Sequence, residues 1–218
     1  MVLLRNNGIL PLNKEKLKAI AVIGPNADSK IMLKGNYSGT ASRYITVLDG
    51  IHEAVQDDVR VYYSEGCHLY KDRVEELAEQ DDRLAEAISI AERSDVAILC
   101  LGLDSTIEGE QGDAGNSEGA GDKPNLNLPR KQQELLEKII ETGTPVILVI
   151  GTGSALTFNG AEEKCAAILD AWYPGSRGGR AVADLLFGKC SPSGKLPVTF
   201  YKDLNYIPEF TDYSMKGR

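Results

Sequence analysis

Acidic side chains are concentrated in one glycine-rich segment of the sequence, residues 104–122. The segment contains six carboxylates, five glycines and no lysine or arginine before Lys123. Crowded carboxylates raise one another's pKa, and a raised pKa lets a carboxyl group act as a general acid near neutral pH. Glu108 and Glu110 are the natural candidates for this proton donor.

Two other interpretations of the acidic segment stay open at this point: a solvated flap without chemistry, or a calcium loop. The spacing of Asp104, Glu108, Glu110 and Asp113 does not match the EF-hand pattern, and Ca²⁺ requires a tighter cluster of oxygen atoms. A calcium loop is therefore a weaker interpretation than a solvated flap. We expect neither a metal nor a cofactor.

The cysteines and histidines give little indication of a metal site or a nucleophilic catalyst. The four cysteines are far apart and lack the spacing of a zinc site, and Cys100 and Cys165 lie in apolar runs that predict buried thiols. The two histidines, His52 and His68, do not form a recognisable Ser-His-Asp or Cys-His pattern. Catalysis by this chain would therefore rest on carboxylates.

Apolar, β-branched runs predict five strands, at residues 19–23, 59–63, 96–101, 146–150 and 166–172. Apolar residues at helical spacing predict helices at residues 75–93, 130–142 and 177–187. Three strands are continuous apolar runs, which is typical of central parallel strands covered on both faces. The sequence therefore predicts one α/β domain over residues 1–218, with a doubly wound, mostly parallel sheet of about five or six strands sandwiched by helices.

The acidic segment follows the predicted strand at residues 96–101. Connections in α/β units usually have about 2–6 residues, and irregular loops beyond ~12–15 residues are commonly functional or disordered. Open α/β sheets bind ligands at the carboxyl ends of their strands. Length, position and composition together favour a functional loop.

The charge balance excludes some partners. The chain has 24 Lys and Arg residues against 32 Asp and Glu residues, a net charge of −8. Such a surface repels a phosphate backbone, so we expect no nucleic-acid partner. No apolar run approaches the ~20 residues of a membrane span, and the first residues lack the apolar core of a signal peptide, so we expect no membrane partner.

A Gly-Thr-Gly-Ser sequence at residues 151–154 directly follows a predicted strand. Without a third glycine and an opening helix, G-x-G is a weak dinucleotide signal. We interpret it as a turn. A nucleotide-binding domain is a minor alternative, opposed by the missing phosphate loop and the acidic charge.

Residues 199–218 form a tail without periodicity that holds five of the 14 aromatic residues: Phe200, Tyr201, Tyr206, Phe210 and Tyr213. Aromatic area of this size rarely stays in water. The tail is therefore expected to pack, either on this domain's own surface or on another domain.

Several motifs together resemble one enzyme family. They are LLRNNGILPL at residues 3–12, AVIGPNA at 21–27, GNYSG at 35–39, PGSRGG at 174–179 and DLLFGKCSPSGKLPVTF at 184–200. In this order, and over nearly the whole chain, they resemble the second, α/β-sandwich domain of glycoside hydrolase family 3.

The resemblance implies a glycosidase acting on β-glucosides or β-xylosides. In that family a preceding TIM-barrel domain contributes an aspartate nucleophile, and the sandwich domain contributes a glutamate acid/base from a loop over the sugar. Residues 110–113, Glu-Gln-Gly-Asp, are similar to the family's Glu-Gly-x-Asp-Arg signature, which implies that Glu110 is the acid/base. No arginine follows Asp113, so Glu108 is kept as the alternative acid/base, with residues 121–126 as an alternative anchor.

The resemblance also implies the remaining partners. Asn36 and Tyr37 resemble a region near the aglycone side of the pocket and are candidate substrate-binding residues. The partners are then the carbohydrate and the upstream TIM-barrel domain, without which this chain is expected to be inactive. The alternative is a non-catalytic carbohydrate-binding or scaffold module, in which the acidic loop only shapes a groove.

Overall fold

A six-stranded sheet organises the chain. The computed structural model describes residues 1–73, 79, 81–110, 112 and 123–214. The strands are β1 (Val2–Asn6), β2 (Ala19–Ile23), β3 (Arg60–Ser64), β4 (Val96–Gly102), β5 (Val146–Gly151) and β6 (Ala167–Asp170). Their order in the sheet is β1-β6-β5-β4-β2-β3, parallel except for β1, which pairs antiparallel with β6. The predicted fold class, a doubly wound and mostly parallel α/β sheet, is confirmed.

Helices cover both faces of the sheet. They are α1 (Lys30–Lys34), α2 (Val47–Val55), α3 (Asp82–Glu92), α4 (Arg130–Glu141) and α5 (Gly178–Leu186). Strands β2, β4 and β5 are buried along their whole length, as their continuous apolar sequences predict, and their side chains contribute to one hydrophobic core on each face. The helix predicted at residues 75–93 begins at Asp82, and residues 74–78 and 80 lie outside the described residues.

Glycine lets β4 and β5 end close together. At Gly102 the backbone has φ +129°, and an added Cβ would lie 2.0 Å from the Gly151 carbonyl oxygen. The buried amide of Gln132, on α4, accepts from the Gly102 N–H at 2.7 Å and donates to its carbonyl at 2.7 Å. The strand therefore ends at a fixed point, and the acidic segment leaves the sheet in a defined direction.

The described part of the aromatic tail, residues 199–214, contains no buried residue. Phe200 packs edge-on against Trp172, with ring centroids 5.9 Å apart. Beyond it, Tyr206, Phe210 and Tyr213 are 62%, 92% and 77% exposed. The described tail therefore leaves most of its aromatic surface accessible. In the described part of the chain, no helix has the length and hydrophobicity needed to cross a membrane.

A buried carboxyl group ends β6 and gives the fold a pH dependence. Asp170 is fully buried, its Oδ1 accepts from the Trp172 N–H at 3.0 Å, and Oδ2 has no hydrogen-bond partner among the described residues. Burial raises the pKa of this carboxyl from 3.8 to about 6, although the Trp172 hydrogen bond acts in the opposite direction. The folded state therefore binds the proton more tightly than the unfolded state does.

We expect Asp170→Asn to stabilise the domain at neutral pH. Because the folded pKa is raised, the favourable contribution is complete below pH 3.8 and is lost as the pH rises through about 6. The amide stays neutral and keeps the Trp172 contact, so the variant should gain up to about 3 kcal/mol over the original chain at pH 7.5. Urea unfolding at pH 4 and pH 7.5 measures this, and an equal stability difference at both pH values would contradict it.

Candidate active site

The site loop begins directly after β4. Asp104 is buried, and its Oδ1 accepts from the Thr106 N–H at 2.8 Å and from the Thr106 hydroxyl. The Asp104 carbonyl accepts from the N–H groups of Ile107 and Glu108, at 3.1 and 3.0 Å. These bonds form a tight turn that brings Glu108 back towards the sheet.

The Glu108 carboxylate is held by three donors from two other segments. The Gly153 N–H donates to Oε2 at 2.8 Å, the Ser154 hydroxyl donates to Oε1, and the Tyr173 hydroxyl donates to Oε2. Burial first, and then the Glu108 carboxylate, raise the pKa of the Tyr173 phenol well above its usual range. The phenol therefore stays protonated as a donor, and Glu108 is fixed as an acceptor.

Glu110 lies two residues further along and is exposed to solvent. Its Oε1 accepts from the Tyr37 hydroxyl at 3.0 Å, and the Asn36 amide donates to the Glu108 carbonyl at 2.7 Å. The structure thus brings together all four residues singled out in the sequence, Asn36, Tyr37, Glu108 and Glu110. Their roles in catalysis and binding stay predictions.

The turn that carries Asn36 and Tyr37 follows α1. The helix begins after Ser29, whose hydroxyl accepts from the Met32 N–H at 3.1 Å, and it ends at Gly35, where φ is +63°. Tyr37 also has a positive φ, 54°, which is rare for a residue with a bulky side chain. Its ring is 87% exposed. Residues with a strained backbone of this kind cluster at active sites and ligand sites.

Lys123, directly after the acidic segment, binds the turn that follows β5. Its ammonium group donates to the Ala155 carbonyl at 2.7 Å, and burial lowers the pKa of this group while the Glu108 charge acts in the opposite direction. Residues 111 and 113–122 lie outside the described residues, and so does the signature's Asp113. Glu108 and Lys123 both bind the turn after β5, so the two ends of the loop are fixed to the same segment.

No sequence pattern predicted which residues bind the Glu108 carboxylate. The Gly-Thr-Gly-Ser turn was interpreted only as a turn, yet Gly153 and Ser154 bind Glu108 from 45 and 46 residues away. The Cys67 and His68 side chains, adjacent in sequence, are not a nucleophile pair. Burial raises the pKa of the Cys67 thiol to about 12, and His68 Nδ1 accepts from the N–H groups of Tyr70 and Lys71. Among the described residues, no three Cys, His, Asp or Glu side chains form a group able to hold a metal ion.

The whole chain, residues 1–218, matches the model of the glycosyl hydrolase family 3 C-terminal domain. The chain belongs to glycoside hydrolase family 3. A beta-xylosidase of Formosa agariphila is 37% identical over 215 residues, 95% of this chain and 28% of that protein. The periplasmic beta-glucosidase of Salmonella typhimurium is 33% identical over 234 aligned positions, 100% of this chain and 29% of that protein.

A solved structure agrees with the family assignment. The b-glucosidase EmGH1 of Erythrobacter marinus superposes with a TM-score of 0.80 and 34% identity, covering 95% of this chain and 29% of that chain. The family 3 chain described here thus corresponds to the C-terminal domain of that family. It spans less than a third of the length of the relatives it matches.

Substitution of the two candidate carboxylates is expected to lower the stability of this family 3 domain by different amounts. Glu108→Gln presents an amide group to donors that need an acceptor, so at least one half-buried donor loses its partner and unfolding becomes about 1–3 kcal/mol easier. Glu110→Gln changes an exposed side chain and should cost less than about 0.5 kcal/mol. Urea unfolding of the two matched variants measures this, and equal losses would contradict the assignment of Glu108 as a structural acceptor.

Proposed function

We propose that this chain supplies the acid/base of a retaining β-glycosidase that hydrolyses β-glucosides or β-xylosides, and that Glu110 is this acid/base. The observation that carries the proposal is the contrast between the two carboxylates. The Glu108 carboxylate accepts hydrogen bonds from Gly153, Ser154 and Tyr173. Glu110, two residues further along the loop, is exposed to solvent. A general acid must reach the leaving oxygen, and an exposed carboxyl group can do so.

The mechanism requires a second carboxylate, the nucleophile, which we infer lies outside this chain. In a retaining reaction, two carboxyl groups about 5–5.5 Å apart act as nucleophile and as acid/base, through a glycosyl-enzyme intermediate. We infer that a TIM-barrel domain upstream in the same enzyme provides the nucleophile. In support, the chain matches only 28% and 29% of the length of two related glycosidases. Glu110 would protonate the leaving oxygen first and then deprotonate the attacking water.

Asn36 and Tyr37 are proposed to bind the substrate beside Glu110. The exposed Tyr37 ring offers a flat apolar surface on which a sugar ring can stack. Because the Tyr37 hydroxyl is 3.0 Å from Glu110 Oε1, a sugar stacked there lies next to the proton donor. Asn36, adjacent and exposed, would contact the sugar hydroxyls through the part of its amide that does not bind Glu108.

The stereochemistry of hydrolysis tests this function. The chain, joined to a family 3 TIM-barrel domain, is incubated with aryl β-glucoside and aryl β-xyloside, and the first-formed sugar is followed by ¹H NMR. The proposal requires the β-anomer to form first. An α-anomer as first product would contradict a retaining reaction. Binding of oligosaccharides without any hydrolysis would favour a carbohydrate-binding module instead.

A further inference from the structure

The Tyr173 side chain contacts three segments of the candidate site. Tyr173 follows β6 on a turn in which Trp172 has φ 57° and is bonded to the buried Asp170. An added Cβ at Gly35 would lie 2.6 Å from Tyr173 Cδ2, and one at Gly153 would lie 3.0 Å from Tyr173 Cε2. The ring is therefore packed directly against the backbone of two turns: a side chain at Gly35 would clash with it, and one at Gly153 would be in tight contact with it and with Glu108 Oε2.

The same side chain also reaches the third segment. Its hydroxyl donates to Glu108 Oε2, the oxygen that also accepts from the Gly153 N–H at 2.8 Å. Gly35 opens the turn that holds Asn36 and Tyr37, and Gly153 belongs to the turn that holds Glu108. Tyr173 thus packs against two site turns and bonds to the third segment, which leads to Glu110.

We propose that Tyr173 is a positioning residue for the acid/base: its ring sets the distance between the two turns, and its hydroxyl fixes Glu108. Glu110 then keeps its place beside Tyr37. The inference rests on the proposed function, because it assigns Tyr173 no chemical step of its own. It also gives a reason for glycine at position 35, where a methyl group would displace the ring.

Hydrogen exchange of the 218-residue chain tests the structural part. The Gly153 amide is bonded to the Glu108 carboxylate, so its exchange rate reports whether that carboxylate stays in place. Tyr173→Phe keeps the ring and removes the donor, and we expect about tenfold faster exchange at Gly153. Tyr62→Phe is the matched control, because it removes a hydroxyl that is bonded to Arg60, away from the site. Unchanged exchange in Tyr173→Phe would overturn the proposal.

Kinetics of the chain joined to its TIM-barrel domain test the catalytic part. Misplacing a catalytic group by about 1 Å can cost ~10²-fold, so Tyr173→Phe should lower kcat about 10–100-fold and leave KM nearly unchanged. If Glu110→Gln strongly lowers kcat on substrates with poor leaving groups, faster exchange with an unchanged kcat in Tyr173→Phe would overturn the positioning role. If Glu110→Gln leaves turnover intact, the acid/base assignment itself is wrong, and the catalytic part of this inference falls with it.

Discussion

Glu110→Ala, in the chain joined to its TIM-barrel domain, is expected to lower kcat roughly 10²–10⁴-fold on substrates with poor leaving groups. This range is the usual contribution of general acid-base catalysis. An alkyl glycoside or a disaccharide cannot release its leaving oxygen easily without a proton, so its first step should be affected most. Steady-state kinetics with xylobiose or cellobiose measure the loss.

The leaving group provides the internal control for Glu110→Ala. A dinitrophenyl glycoside needs little protonation, so its first step should suffer much less. The covalent intermediate should then accumulate, which is seen as an initial burst of dinitrophenolate. A uniform loss on both kinds of substrate would indicate a binding or folding defect. That outcome would contradict the assignment of Glu110 as the proton donor.

The chain of 218 residues alone is expected to show no measurable glycosidase activity. A retaining reaction without its nucleophile cannot form the glycosyl-enzyme intermediate, and Glu110 alone cannot replace that step. Chromogenic β-glucoside and β-xyloside are suitable substrates, and circular dichroism confirms that the chain is folded. Added TIM-barrel domain, on the same chain or in trans, should restore turnover.

Turnover by the chain alone would have a clear meaning. If activity well above background is lost in Glu110→Gln, the nucleophile lies within these 218 residues, and the proposal of a site shared between two domains is wrong. If the activity survives Glu110→Gln and Glu108→Gln alike, a contaminating enzyme is responsible. Glu108→Gln is included because activity lost only in that variant would indicate Glu108, and not a contaminant, as the source.

The sequence predicted the sheet well because burial on both faces leaves a simple pattern. Strands β2, β4 and β5 are continuous apolar runs, and each was placed to within a residue or two. Strand β1 was not predicted as a strand. Its residues Leu4, Arg5 and Asn6 are exposed at the sheet edge, so their types follow solvent contact more than the sheet.

Two of the helices were missed for local reasons. Helix α1 has only five residues, which is too short to show a repeating apolar pattern. Helix α2 begins with a capping box, Thr46 and Asp49, and its buried Val47, Ile51 and Val55 recur at helical spacing, but its nine residues hold only this short repeat and it was not recognised. Capping signals would have located it.

The candidate site was predictable in part. Composition and loop length pointed to Glu108 and Glu110, and the family resemblance pointed to Asn36 and Tyr37. The contacts that separate the two carboxylates were not predictable, because Gly153 and Tyr173 lie 45 and 65 residues from Glu108. Only the fold brings them together, at the carboxyl ends of β5 and β6.

Azide rescue of two matched alanine variants tests the central claim most directly. Azide attacks the glycosyl-enzyme intermediate without needing a base, so it should restore turnover of an activated aryl glycoside in Glu110→Ala and yield the β-glycosyl azide. Glu108→Ala should show no rescue, because the loss there comes from the displaced loop. Rescue in Glu108→Ala but not in Glu110→Ala would move the acid/base by two residues, and rescue in neither would contradict an acid/base role for this loop.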